Sequence, residues 1–153
     1  MGEVLNGDIN KYSIEMNKSH IFRSIDIKNK IKLLRLKNDT TLKELSKKVN
    51  ISEYTLRLLE EGNIKRPYPY YKKICDFFQE DYFTYFNIHY IKEETPQEKL
   101  EKIKAYLAIG SWKELSKYIG HDGGWVKRVI DSSTVPEYKI KEIDYWLKKV
   151  KEL

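Results

Sequence analysis

The five-residue word Lys-Glu-Leu-Ser-Lys occurs at 43–47 and again, unchanged, at 113–117. At this offset of 70 the flanking positions also match in role. Thr41 pairs with Ser111, Leu42 with Trp112, Val49 with Ile119, and Asn50 with Gly120. Ser52 pairs with Asp122, Leu56 with Val126, Arg57 with Lys127, and Leu59 with Val129. A capping residue, an apolar stripe, a turn residue, a second cap and a second stripe thus recur in the same order. Two copies of a paired-helix unit imply an all-α chain.

Local patterning supports that class. Ile27, Ile31 and Leu34 recur at spacings of four and three, with Lys28, Lys32 and Arg35 on the other face. Asn38-Asp39-Thr40 breaks this helix. Thr41-Leu42-Lys43-Glu44 is a capping box, in which hydroxyl and carboxylate each satisfy the other residue's amide. The stripe Leu42, Leu45, Val49 ends at Asn50, a residue that tolerates a left-handed turn. Ser52 is an N-cap for the next helix, Leu56 and Leu59 bury its inner side, and Gly62 stops it. Pro67 and Pro69 mark a loop before a helix over 70–78, with Ile74, Phe77 and Phe78 inside. Asp81 caps a fifth helix rich in aromatic residues. Glu93-Glu94-Thr95-Pro96 is the best candidate boundary, and a helix over 97–109 comes next, with Leu100, Ile103 and Leu107 on one face. An amphipathic helix containing Ile143, Leu147 and Val150 closes the chain after Pro136. The expected organisation is an arm or tail at 1–22, a helical domain at 23–90, a linker at 91–98 and a second helical domain at 99–153.

Within the first copy, Leu45, Ser46, Asn50, Ile51, Ser52, Leu56, Leu59, Glu60 and Gly62 form a spaced pattern. It resembles the helix-turn-helix of the lambda-repressor-like (Cro/CI-type, Xre) family, and the resemblance spans about residues 26–86. The family pattern has Ala where Ser46 stands and Gly where Asn50 stands. Both changes keep the physics, because one site must be small for two helices to cross and the other needs a positive φ.

The resemblance implies a sequence-specific binder of double-stranded DNA, a transcriptional regulator of bacterial or phage type, and a repressor by preference. The helix after Ser52 would lie in the major groove. Glu53, Tyr54, Thr55 and Arg57 would then face base edges, Arg57 by bonding guanine O6 and N7 together. Thr41, Lys43, Ser52, Asn63, Lys65 and Arg66 would hold the phosphate backbone. An ion pair between Arg35 and Glu60 is implied as a structural strut that sets the angle of the reading helix. The family's palindromic operators admit a homodimer, although two motifs in one chain do not require one.

The second copy is degenerate. Gly120 is the turn residue the family prefers, and Asp122 can cap the next helix, but Gly123-Gly124 weakens its start. Ser111, Lys113, Trp125, Lys127 and Arg128 are its candidate DNA contacts. Trp125 reads equally as a partner's anchor or as local core. The positions matching Arg35 and Glu60 are Ala105 and Ile130, so this copy has no equivalent ion pair.

Composition narrows the alternatives. The net charge is +6, with both halves mildly basic, which permits a polyanionic partner. No run of about 18 apolar residues suggests a membrane span, and the first twenty residues carry Glu3, Asp8 and Glu15 without a signal-type apolar region. A cytoplasmic location is the expectation. Gly2 lacks the downstream Ser or Thr of a myristoylation site, since Asn6 stands there. Cys75 is the only cysteine and reads as a small buried hydrophobe. His20, His89 and His121 show no metal-ligand grouping, and the lysine runs at 28–32 and 148–151 read as solvated faces. With no carboxylate cluster, nucleophile–base pair or phosphate-cradling glycine loop, neither an enzyme nor a cofactor is expected. The rival reading is a protein-interaction module, antitoxin-like or anti-repressor-binding, with a regulatory protein as partner. Tyr82 to Phe86 and Trp125 would be its anchors.

Overall fold

The computed structural model describes residues 27–153, and for 27–29 only the backbone. The arm expected at 1–22 and His20 lie outside the described residues. Among the described residues every regular element is helical. The order is α1 (Ile27–Lys37), α2 (Leu42–Val49), α3 (Glu53–Glu60), α4 (Tyr68–Phe78), α5 (Tyr82–Tyr85), a 3₁₀ turn (Ile88–Tyr90), α6 (Pro96–Tyr106), α7 (Trp112–Tyr118), α8 (Trp125–Asp131) and α9 (Glu137–Lys151). No helix among them is long and apolar enough to cross a membrane.

Capping chemistry sets the boundaries of the first corner. Thr41 accepts from the Glu44 amide, and the Glu44 carboxylate accepts in return from the Thr41 amide, which starts α2. These bonds hold the Glu44 carboxyl below its usual pKa. Asn50 ends α2 at φ 56°, ψ 47°, and Ser52 caps α3 by accepting from the Thr55 amide. Gly62, at φ 76°, turns the chain out of α3. Leu45, Leu56 and Leu59 are buried between α2 and α3, against Ile31 and Leu34 of α1 and Ile74 of α4.

Several boundaries differ from the sequence reading. α4 starts at Tyr68 and takes Pro69 into its first turn, where proline's missing N–H costs nothing. Phe77 is 40% exposed and Phe78 is half-buried; Ile74 is inside as expected, joined there by Tyr71 and Cys75. α6 ends at Tyr106, because Ala108 adopts φ 53° and Ile109 donates back to the Lys104 carbonyl. Asp122 is not the cap of α8. Its carboxylate accepts from the Gly124 amide and from Arg128, while Gly124 occupies the N-cap position without a side-chain bond.

The buried side chains of both halves form one cluster. Tyr71 stacks on Phe86 at 4.0 Å, and the Tyr82 hydroxyl reaches across to the Ala105 carbonyl of α6 at 2.6 Å. Tyr68 donates to Glu101 of α6 at 2.9 Å. Lys102 of α6 donates to the His89 carbonyl and to Glu93, a carboxylate also held by Lys151 at the end of α9. Direct bonds therefore join the two halves on either side of the segment at 91–98.

Lys30 corrects the solvated-face reading of the first lysine run. It is buried, its ammonium donates to the Tyr85 carbonyl at 2.6 Å, and the Tyr85 hydroxyl donates to the Lys30 carbonyl at 2.7 Å. The second run agrees with that reading, since Lys148, Lys149 and Lys151 lie on the exposed side of α9.

In the second corner, the Ser116 hydroxyl donates to the Trp112 carbonyl and accepts from the Val126 amide at 2.9 Å, wholly buried. Ser46, its counterpart, is only half-buried and makes no side-chain bond among the described residues. Ser116→Ala is therefore expected to cost about 1–3 kcal/mol, because the Val126 amide is left without an acceptor. Ser46→Ala should fall within about 0.5 kcal/mol of the parent. Urea denaturation of the two variants checks the contrast.

Buried acids set the alkaline limit of the fold. Burial pushes the Cys75 thiol up to about 12 from its ordinary 9, and Tyr71 up to about 12 from 10. The unfolded chain thus loses these protons first as pH rises. Stability should be intact below pH 9 and fall progressively between 9 and 12. Thermal melts across that window check this. The slope should be shallower in Cys75→Ala, and a flat profile would contradict the assignment.

Candidate nucleic-acid interface

The outward side of α3 is set by which residues its inner side must bury. With Leu56 and Leu59 inside, Glu53, Tyr54 and Arg57 project to solvent, and Thr55 and Leu58 lie at the edges. Tyr54 is 67% exposed. The side chains of Arg57 and Glu53 form no hydrogen bond or ion pair with any described residue. Thr55 is held more tightly, because its hydroxyl accepts from Ser52 at 2.9 Å.

The angle of this helix is fixed from beneath. Arg35 Nε donates to Glu60 Oε2 at 2.8 Å, and Nη2 donates to Oε1 at 3.3 Å. Nη1 donates to the Thr40 carbonyl at 3.1 Å. One guanidinium thus ties α1 to the end of α3 and to the turn that leads into α2. Both side chains of the pair are nearly buried, at 12% and 11% exposure. The fork geometry explains why arginine suits this position and lysine would not.

The other first-copy residues expected at phosphate are all exposed: Thr41, Lys43, Ser52, Asn63, Lys65 and Arg66. Thr41 and Ser52 are already engaged as helix caps, so their side chains have limited freedom to serve a ligand as well. Asn63 bonds Glu61. Lys65 and Arg66 come together with Lys73 and with Ser111 of the second copy around a shared cleft.

The second-copy candidates are occupied within the chain. Trp125 is 8% exposed and stacks face to face on His121 at 4.1 Å, with the Lys139 ammonium over its ring. It is local core, which corrects its placement as a contact or partner anchor. Arg128 bonds both carboxylate oxygens of Asp122, and this pairing, with the Gly124 amide, lowers the Asp122 pKa. Lys127 pairs with Asp131 one turn on. Ser111 caps α7, and the stem of Lys113 lies over Gly123, where a Cβ would approach Cγ to 3.0 Å. The glycine pair therefore seats a lysine stem and closes a turn; it does not leave open backbone.

The histidines and the proposed aromatic anchors are also engaged within the chain. His89 Nδ1 lies 2.5 Å from the Tyr106 hydroxyl and His121 Nε2 lies 2.6 Å from Glu142, so both imidazoles are locally bonded. Among the described residues no cluster of His, Cys, Asp and Glu could hold a metal ion. Of the aromatic residues named as anchors, Tyr82 and Phe86 are buried, and Phe83 and Tyr85 are half-buried.

Sequence reasoning missed Lys104, which is 3% exposed in α6. Its ammonium sits 3.6 Å from the centroid of the Trp112 ring and 3.5 Å from Glu101. Burial lowers its pKa, and Glu101 partly offsets the effect. No signal in the local sequence marks it, since a lysine on a helix ordinarily reads as solvated.

Compared with protein-family models, curated proteins and solved structures, the chain matches none of them.

Breaking the Arg35–Glu60 pair should leave a nearly buried charge without its partner. Arg35→Ala is expected to cost about 3 kcal/mol. The double variant with Glu60→Ala should cost less than the sum of the two single changes. A double-mutant cycle by chemical denaturation checks this, and strict additivity would mean that the strut contributes nothing.

Proposed function

We propose that this protein is a sequence-specific binder of double-stranded DNA that regulates transcription, with α2 and α3 forming a helix-turn-helix of lambda-repressor-like type. The single observation that carries the reading is the outward row Glu53, Tyr54 and Arg57 on α3, uncovered by any described part of the chain. Three features support it: a left-handed Asn50 in the turn, a capped start at Ser52, and a strut from Arg35 that holds the helix rigidly. A major groove accepts a helix of this kind, and a guanidinium left free on its outward side can bond the O6 and N7 of guanine together. Lys65 and Arg66 would supply phosphate contacts just beyond α3. The cytoplasm of a bacterium, or a phage-infected cell, is the setting this reading implies, with repression its simplest mode.

In this reading the second copy is a scaffold. Its two basic candidates on α8 are matched by nearby carboxylates and its tryptophan is packed inward, so its groove-facing potential is weak. The rival reading, an antitoxin-like or anti-repressor-binding module, has lost most of its aromatic anchors to the core.

Selection from a random duplex library, combined with gel shift at two salt concentrations, tests the proposal. Binding should enrich a defined site and weaken steeply with salt. No shift at low salt would overturn the reading. Arg57→Ala should reduce discrimination at one base pair by about 1–3 kcal/mol. Lys65→Ala should weaken all sequences alike and reduce the salt slope by about one.

A further inference from the structure

Between the chain leaving α3, the start of α4 and the turn before α7 lies an open cleft of about 600 Å³. That volume falls within the range of small-molecule sites. The side chains of Lys65, Arg66 and Lys73 stand around it, and none of the three forms a hydrogen bond or ion pair with a described residue. Glu114 is the one carboxylate on the lining, so the three cations are compensated only in part. Tyr70 and Pro69 give it an apolar wall. Three cations that one carboxylate compensates only in part repel one another, and a dianion relieves that repulsion best. The arginine fork matches two phosphate oxygens. A bare phosphate would leave the apolar wall wet, whereas a ring attached to it would cover Tyr70 and Pro69.

We propose that this cleft binds a small phosphate-bearing molecule with a flat ring, of the chemical class of a nucleoside monophosphate. Arg66, Lys65 and Lys73 hold the phosphate and Tyr70 faces the ring. The site stands whether or not the protein binds duplex DNA. Because Lys65 and Arg66 belong both to it and to the proposed phosphate contacts, an occupant would compete with DNA for them.

Isothermal titration of the full chain with AMP, GMP, CMP and UMP, and separately with inorganic phosphate and adenosine, tests the site. At least one nucleotide should bind saturably, with a Kd of about 0.1 mM. It should bind about tenfold more tightly than phosphate or adenosine alone. Arg66→Gln and Lys73→Gln should each weaken it about fivefold, and Lys127→Gln should not. Absence of binding by all four nucleotides at about 5 mM would overturn the proposal. So would binding that ignores both cleft variants, or phosphate binding as tightly as any nucleotide. Lys73 lies outside the proposed DNA contacts, so Lys73→Gln separates the two possible sources of phosphate. If it weakens duplex binding while no nucleotide binds, the cleft belongs to the DNA track and the proposal fails. A nucleotide that binds without any duplex shift keeps the site and removes the DNA reading.

Discussion

Arg35 presents five donors on a rigid plane, and three of its bonds converge on groups far apart in sequence. Two go to the Glu60 carboxylate and one to the Thr40 carbonyl, so α1, the start of α2 and the end of α3 cannot rotate independently. α3 is only eight residues long and would be marginal alone. Its angle comes from this strut together with Leu56 and Leu59, which are buried completely. An exposed row on α3 has a defined direction only because the opposite side is held at both levels.

The interior depends on polar groups that sit where apolar ones would be expected. Lys30, Lys102 and Lys104 are all nearly inaccessible. Each is compensated by specific partners: a carbonyl and a ring for Lys30, a carbonyl and a carboxylate for Lys102, a carboxylate and a tryptophan face for Lys104. Burial of an ammonium is tolerable only when such groups replace its hydration. Lys102 and Lys104 lie in α6, which also receives hydrogen bonds from Tyr68 and Tyr82. α6 is thus an element on which the two halves meet.

The two copies of the repeat share an outline and differ in what their side chains do. Both have a hydroxyl cap before the first helix and a left-handed residue after it, Asn50 at φ 56° and Gly120 at φ 87°. After the turn they diverge. Ser52 caps α3 and leaves a charged, exposed row, whereas Asp122 turns the chain through two glycines and neutralises Arg128. The Ser46 hydroxyl bonds no described residue, whereas Ser116 bridges the two helices of its corner. Equal spacing therefore does not mean equal surfaces.

Much of this was legible in the residues themselves. The helical class, the Thr41–Glu44 box, the left-handed Asn50, the Ser52 cap and the inward Leu56 and Leu59 all arise from interactions within a few residues. Such interactions are written in local order. The Arg35–Glu60 pair, implied by resemblance, also stands in the fold. Features that sequence could not decide involve partners distant along the chain. Burial of Lys30 depends on Tyr85, that of Lys104 on Trp112, and the inward turn of Trp125 on His121. Phe77 faces outward because the face of α4 that packs inward is that of Tyr71, Ile74 and Cys75. Local chemistry determined where helices start, stop and turn. Only tertiary packing determined which charges are hidden and which remain free, because desolvation is set by whatever neighbours the fold brings near.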